Sequence, residues 1–236
     1  MNYQISVIVP FLNEEEYLYE SIKRLIETSL FEKIILVDDG STDGSNKIAN
    51  SIASELEIID VIKLDKSEGK GNAIKVGLNS VYTSHVIIHD ADLEYDPSDI
   101  PEMFEIAKLN PTSLVLGSRT LEGKERENKY KTTFYGNKIL TAFFSIINFF
   151  KVSDIATCYW LIETELLKKI NIKEKGFAIE VEVLSKYLKY YTKIIEIPIS
   201  YSGRLYSQGK KIKFSDGLMI FFKIIYYSKL NIFLKI

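Results

Sequence analysis

The chain has 236 residues, 46% hydrophobic and 26% charged, with a formal net charge of −2. That length suits one large domain or one domain with an extension, and the composition excludes a disordered polymer. The near-neutral balance excludes generalised nucleic-acid binding, although basic residues thicken between Lys186 and Lys235.

A single cysteine, Cys158, excludes an intramolecular disulfide framework and suits a reducing compartment. The start, MNYQISVIVPFLNEEE, lacks the basic n-region of a signal peptide. No run reaches the roughly 18 uninterrupted apolar residues of a membrane-spanning helix. The expected location is cytoplasmic, with peripheral contact at the cytoplasmic face of a membrane left open.

In chain order, ISVIV (5–9) reads as a buried strand, and in the helical pattern that follows Leu18, Ile22, Leu25 and Ile26 share one face. KIILVDDG ends a second strand, and STDGSNKIANSIASEL opens a second helix with Ser41 or Asp43 as its cap. IIDVIKL and EGKGNAIKVGLNSV repeat the unit, HVIIHDADL begins a fourth, PSDIPEMFEIAKL is a capped helix and SLVLGSR a fifth strand. Strands apolar throughout and spaced by helices predict an α/β fold: a doubly wound, mostly parallel sheet with helices on both faces.

Residues 120–131 are polar and charged, which predicts a mobile loop near the sheet rim, placed to act as a lid. GNKILTAFFSIINFF (136–150) is apolar almost all round, the pattern either of a core helix or of a helix lying at a lipid interface. In the tail, Lys223, Lys229 and Lys235 recur every six residues. At about 100° per residue they point to three sides, which argues against both a clean amphipathic face and a buried span. The predicted organisation is a catalytic domain over 1–216 and an apolar, basic helical extension over 217–236, with membrane contact as its open function.

In doubly wound sheets the ligand sits beyond the carboxyl ends of the strands. Four clusters occupy such positions: Pro10 to Glu14, Asp38 to Ser41, Asp90 to Asp92 and Gly117 to Arg119. In HDADLEYDP the acids Asp90, Asp92, Glu94 and Asp96 stand two apart, on one side of an extended segment. Oxygen donors of this kind suit Mg²⁺ or Mn²⁺ completed by substrate phosphates, with Asp90 and Asp92 as ligands and Glu94 a third candidate. The competing reading is a solvated turn closed by Asp96-Pro97.

Asp39 is positioned to hold a base or ribose, while Asp38 reads equally as a structural loop acid. Gly69 to Gly71 and Lys70, before a helix N-terminus, offer phosphate or base contacts. The segment is neither a Walker A loop nor a dinucleotide fingerprint. Arg204 and the Gly209 to Lys211 run form a compact cationic loop suited to phosphates. His85 and His89 lack metal-ligand spacing and read as packing or surface residues, and Cys158 as an inert thiol.

Taken together, SVIVPFLNEE, ILVDDGSTDGS, EGKGNA, DADLEYDP, GSR, DIATCYWL, GFAIEVEVL and EIPISYSGRLYSQGKKIKFSDG resemble, in order, the family 2 glycosyltransferases of GT-A fold. The branch they resemble is the one typified by dolichol-phosphate mannosyltransferase and its bacterial polyprenyl-phosphate relatives. The resemblance implies an NDP-sugar donor whose nucleoside is held by Pro10, Leu12, Glu14, Val37 and Asp39. It implies a metal-diphosphate site at Asp90, Ala91 and Asp92, and phosphate contacts from Arg119, Arg204 and Lys210, beside Lys211. Three positions depart from the branch: Leu12 where Tyr is common, Glu94 where Gln is common, and Trp160 where a basic residue is more frequent.

The chemistry expected is inverting hexosyl transfer from the NDP-sugar, GDP-mannose or a UDP-sugar, with Asp92 and Arg119 in the catalytic centre. An anionic polyprenyl phosphate acceptor needs no general base, whereas a glycan hydroxyl needs one. Asp154, Glu180 and Glu182 are the candidates for a base. Their structural alternatives are a loop brace for Asp154 and an ordered acceptor wall for the glutamates. A sugar-phosphate nucleotidyltransferase would carry a GxGxR loop after the first strand, which PFLNEEE is not. A non-catalytic nucleotide-sugar-binding module is the remaining alternative.

Overall fold

The computed structural model describes residues 3–205, 207, 209, 211, 214–229 and 231. Its central sheet alternates with helices through β1 (Ile5–Phe11), α1 (Leu18–Glu27), β2 (Lys33–Asp38), α2 (Ser45–Ala53), β3 (Ile59–Lys63), α3 (Lys70–Leu78) and β4 (His85–Ile88). After α4 (Ile100–Leu109) and β5 (Leu114–Ser118) the order becomes less regular. A short β6 (Arg126–Glu127), a long α5 (Lys131–Asn148), β7 (Trp160–Glu163), α6 (Thr164–Ile170) and α7 (Ile179–Tyr190) follow. Then come β8 (Ile194–Pro198), β9 (Tyr201–Ser202) and α8 (Phe214–Tyr227).

The strand order is β3-β2-β1-β4-β7-β5-β8. Every neighbouring pair is parallel except those of β7, which runs antiparallel to both β4 and β5. The sheet is thus mostly parallel, and β7 is the insertion that chain order alone does not reveal.

Alternation along each strand divides the interior in two. Ile5, Val7, Val9 and Phe11 of β1 join one core with Leu18, Ile22 and Leu25 of α1 and Met103 and Phe104 of α4. Ile8, on the opposite side of the same strand, joins a second core with Ile74 of α3, Phe144 of α5, Leu167 of α6 and Val183 of α7. Side chains two apart on a strand face one way, so a strand apolar throughout must be covered twice. Trp160 of β7 lies in this second core and is 1% exposed, which gives the tryptophan at a departing position a packing role.

The segment expected to be a free loop is tied down. Arg126 and Glu127 pair in parallel with Tyr201 and Ser202, and Lys124 makes an ion pair with Asp99 at 3.0 Å. In the tail the helix begins at Phe214 rather than 217, and Ile220 and Ile224 enter the second core. Lys223 turns to Glu174 at 2.6 Å, leaving an apolar stripe on the open side. The lysine spacing therefore does not prevent an amphipathic face; Lys235 lies outside the described residues. Among the described residues no helix is long and apolar enough to cross a membrane.

Helix α5 is buried only through Thr141, Phe144 and Asn148. Phe144→Ala is expected to lower the unfolding free energy by about 3–5 kcal/mol. Ile139→Ala, at a side chain 69% exposed, is expected to change it by less than about 0.5 kcal/mol. Urea denaturation of both variants measures the difference.

Candidate functional site

A cavity of about 590 Å³ opens at the carboxyl edge of the sheet. The turns after β1, β2, β4 and β5 supply Leu12 and Glu14, Asp39, the Asp90 to Glu94 segment and Arg119 respectively. Helices α5, α7 and α8 close it with Leu140, Val181 and Ile220, an apolar wall facing a charged floor.

The acidic row is not extended. Leu93 takes a left-handed φ of 61°, and the Asp92 carboxylate accepts from the Glu94 backbone N–H at 3.1 Å. This turn, rather than strand alternation, brings Asp90, Asp92 and Glu94 to one cavity. Asp96 accepts from the Ser98 N–H at 2.9 Å and caps the short 3-10 turn Pro97–Asp99, so the row does two jobs.

Each carboxylate on the floor has a specific partner. Lys70 stands 2.9 Å from Asp90 and 2.9 Å from Glu180, bridging β4 to α7. Asp92 meets Arg204 at 3.1 Å, and the same guanidinium meets Glu14 at 2.9 Å while lying over the Tyr17 ring. Glu14 also pairs with Lys211 at 2.5 Å. Glu94 accepts from the Tyr201 hydroxyl and the Arg204 backbone N–H, both at 2.7 Å. Burial, reinforced by the charges of Glu94 and Asp90, raises the pKa of Asp92 above the usual carboxylate range, with Arg204 acting against the shift. Burial pushes Asp90 up, but the charge and hydrogen bond of Lys70, helped by His89 and Cys158, together hold it below the usual carboxylate range.

Hard carboxylate oxygens in a cavity are the donor set that Mg²⁺ or Mn²⁺ takes, and the negative charge loaded onto Asp92 is what a dication relieves. Asp90 and Asp92 therefore fit such an ion by chemistry. In this arrangement the acids do not close on a common point, since Asp90 faces Lys70, Asp92 faces Arg204 and Glu94 faces Tyr201. Among the described residues no group of three or more metal-ligating side chains is gathered.

Asp39 organises the loop before α3, accepting from the Ser67 hydroxyl and from the backbone N–H groups of Glu68 and Gly69. Asp38 is fully buried and accepts from the Ser41 N–H, a structural placement. The N-terminus of α3 is turned inward, because the Gly71 and Asn72 N–H groups donate to the Lys175 carbonyl. At Gly69, where φ is +100°, a Cβ would press on that carbonyl oxygen, and at Gly71 on that of Glu174. The glycines of this motif thus admit a neighbouring loop, and only Lys70 reaches the cavity from α3's first turn.

Arg119 forks onto Asp154 with bonds of 2.7 and 2.9 Å, and its guanidinium lies 5.0 Å from the Tyr201 ring centre. Asp154 is 2% exposed and also accepts from the Arg119 and Ala156 N–H groups. These four bonds fill a carboxylate's accepting capacity. Asp154 does not line the cavity; it braces the arginine that does.

Of the residues expected in the site, Pro10, Leu12, Glu14, Asp39, Lys70, Asp90, Ala91, Asp92, Glu94, Arg119, Glu180, Arg204 and Lys211 line the cavity. Val37 does not, being a β2 side chain in the second core. Glu182 is fully buried away from the cavity, accepting from the Lys173 and Glu174 N–H groups and from Lys186. Lys210 lies outside the described residues.

His89 is a packing residue, held between Ser21 and Tyr159, and burial pushes it down to about 4. Burial pushes the Cys158 thiol well up, consistent with an inert group. Tyr201, which touches both Glu94 and Arg119, was not singled out from the sequence; its signal was only its place within EIPISYSGR.

Comparison with known proteins gives a consistent picture. The family model described as Glycosyl transferase family 2 matches residues 6–171. The dolichol-phosphate mannosyltransferase of Pyrococcus furiosus is 27% identical over 211 residues, and the match spans 88% of this chain but 59% of that protein's length. The undecaprenyl-phosphate mannosyltransferase of Micrococcus luteus is 25% identical over 217 residues, 88% of this chain and 87% of that one. Among solved structures, glucosyl-3-phosphoglycerate synthase from Mycobacterium tuberculosis, in complex with Mn²⁺, uridine-diphosphate and glucosyl-3-phosphoglycerate, superposes with a TM-score of 0.72. That likeness, at 19% identity over 96% of this chain and 80% of the other, shows the GT-A fold.

The Arg119–Asp154 fork yields a direct test. Asp154→Asn leaves a buried guanidinium uncompensated and is expected to lower the unfolding free energy by about 3–5 kcal/mol. Unchanged stability in urea denaturation would remove the bracing role.

Proposed function

The chain belongs to glycosyl transferase family 2, and we propose that it is an inverting, metal-dependent hexosyltransferase moving a sugar from an NDP-sugar to a polyprenyl phosphate. One observation carries the choice of acceptor. Every carboxylate considered as a general base is already engaged: Asp154 is saturated by Arg119 and backbone, Glu180 is paired with Lys70, and Glu182 is outside the cavity. A phosphate oxygen arrives anionic and needs no base. The apolar wall of Leu140, Val181 and Ile220 suits a hydrocarbon carrier.

In the proposed reaction an acceptor phosphate oxygen attacks the anomeric carbon from the side opposite the nucleotide. The bond between that carbon and the β-phosphate oxygen breaks, and its electron pair leaves on the nucleoside diphosphate. A Mg²⁺ or Mn²⁺ ion held by Asp90 and Asp92 would neutralise charge on that leaving group. Arg204 and Lys211, now resting on Glu14 and Asp92, supply further positive charge toward the diphosphate. Arg119 is kept rigid and charged by Asp154 at the cavity edge, and in the proposed reaction it is assigned to the acceptor phosphate. Leu12 and Asp39 line the same cavity, and in the proposed reaction they are assigned to the nucleoside. A membrane-borne acceptor places the working enzyme at the cytoplasmic face of a bilayer.

The second reading, transfer to a glycan hydroxyl, rests on Glu180, whose carboxyl lines the wall and is raised in pKa by burial. Substrate phosphate drawing Lys70 away would free it as a base. Glu180→Gln separates the two readings: the lipid-phosphate reaction is expected to keep its rate within about tenfold, whereas general-base catalysis would lose about 10²–10⁴-fold.

The primary test incubates the protein and Mg²⁺ or Mn²⁺ with a panel of radiolabelled NDP-sugars and polyprenyl phosphate. Label is expected in the organic phase, falling by at least about 100-fold in Asp92→Ala. Label transferred instead to a soluble glycan would overturn the acceptor assignment.

A further inference from the structure

Helix α5 presents Tyr135, Ile139, Ile146 and Phe149 to solvent, all between 59% and 73% exposed. Their spacing of four, seven and three residues keeps them on one side of the helix, a stripe about 21 Å long. Helix α8 repeats the pattern with Leu218, Phe222 and Ile225. The helices lie side by side and run the same way, since Phe143 stacks on Phe221 at 4.4 Å and, further along, Asn148 accepts from the Lys229 N–H. The two stripes thus form one face. Monomeric soluble proteins rarely expose apolar patches this continuous without a partner.

The charges say what kind of partner. Helix α5 contains no acid, and Lys131 and Lys138 fall along the edge of its stripe away from α8. Residues 131–148 and 214–229 together carry four lysines and one aspartate, and of these lysines Lys223 is already paired with Glu174. A second copy of the chain docking isologously would offer these lysines no acid but Asp216 from the same two helices. An anionic lipid surface instead offers hydrocarbon to the stripes and phosphates to the lysines.

The face also adjoins the cavity through the same two helices. Thr133, Asn137 and Leu140 of α5 and Ile220 of α8 line the cavity, while the stripes point outward. A bilayer against the stripes would lie beside the apolar cavity wall.

We propose that the α5–α8 face is the surface by which this protein docks onto an anionic lipid bilayer, presenting its cavity to a phosphate headgroup in that bilayer. The docking deepens the lipid-phosphate reading and rests on it for its purpose, although not for its physical basis. It also resolves the two readings of the 136–150 segment: one side of the helix is core, through Phe144, and the other is interface.

Co-sedimentation of the full chain with vesicles of phosphatidylglycerol and phosphatidylcholine tests the inference. The Ile139→Ser/Phe222→Ser double variant is expected to bind at least about tenfold more weakly, since each side chain forfeits burial worth tenfold or more. Lys131→Glu/Lys138→Glu is expected to lose the preference for anionic over pure phosphatidylcholine vesicles. Circular dichroism and thermal melting check that both variants are folded. Transfer to a short-chain polyprenyl phosphate in detergent should stay at the wild-type rate in the double serine variant, while transfer to a long-chain acceptor in vesicles falls.

Vesicle binding unchanged by both sets of substitutions overturns the docking face. So does a wild-type dimer that binds no vesicles and that the serine substitutions dissociate. Intact, substitution-sensitive vesicle binding with no lipid-linked sugar formed in detergent or vesicles supports the docking face and overturns the lipid-phosphate acceptor instead.

Discussion

Charge pairing at the carboxyl edge of the sheet is what lets this fold bury so many acids in one place. Glu14, Asp90, Asp92, Asp154 and Glu180 all lose most of their water on folding, and an unpaired buried charge costs several kcal/mol. They are tolerated because Lys70, Arg119, Arg204 and Lys211 come to them from distant parts of the chain. Arg204 alone joins the turn after β1 to the turn after β4, and Lys70 joins β4 to α7. The pairs hold the cavity open and its walls in register.

The same pairing underlies the proposed reaction. Under the proposed function, a nucleoside diphosphate would bring negative charge that competes for Arg204 and Lys211, and a divalent cation would compete for Asp90 and Asp92. In that reading, binding donor and metal together would exchange one set of ion pairs for another and keep the floor close to neutral. Arg119 is different. Its fork onto Asp154 consumes that carboxylate's full accepting capacity, so the arginine is fixed rather than exchanged. A rigid cation suits the role proposed for it beside the acceptor, where approach geometry governs the displacement.

Much of this was legible in the sequence, for identifiable reasons. Apolar runs separated by helical periodicity report a sheet covered on both faces, and β1 to β5 with α1 to α4 follow that pattern. The rule that ligands sit beyond strand ends then gathers four polar clusters onto one rim. Strand β7 escaped notice because its antiparallel insertion between β4 and β5 depends on partners far away in sequence. The loop over 120–131 reads as unstructured for a related reason: its two-residue strand is stabilised only by Tyr201 and Ser202. Val37 and Glu182 were legible as residue types in matching motifs, but their burial was not.

Local pattern in the chain was enough to say which groups are present and roughly where they stand. It placed acids and cations at the ends of predicted strands, a pattern local enough to read from periodicity and turn chemistry. Which charge faces which emerged with the folded packing, because such partners come from elements far apart in the chain. It made Asp154 a brace, tied Glu180 to Lys70, and turned the acidic row from an extended comb into a turn. It also showed which side of α5 is core and which is open, since an all-round apolar pattern is equally compatible with burial on any side.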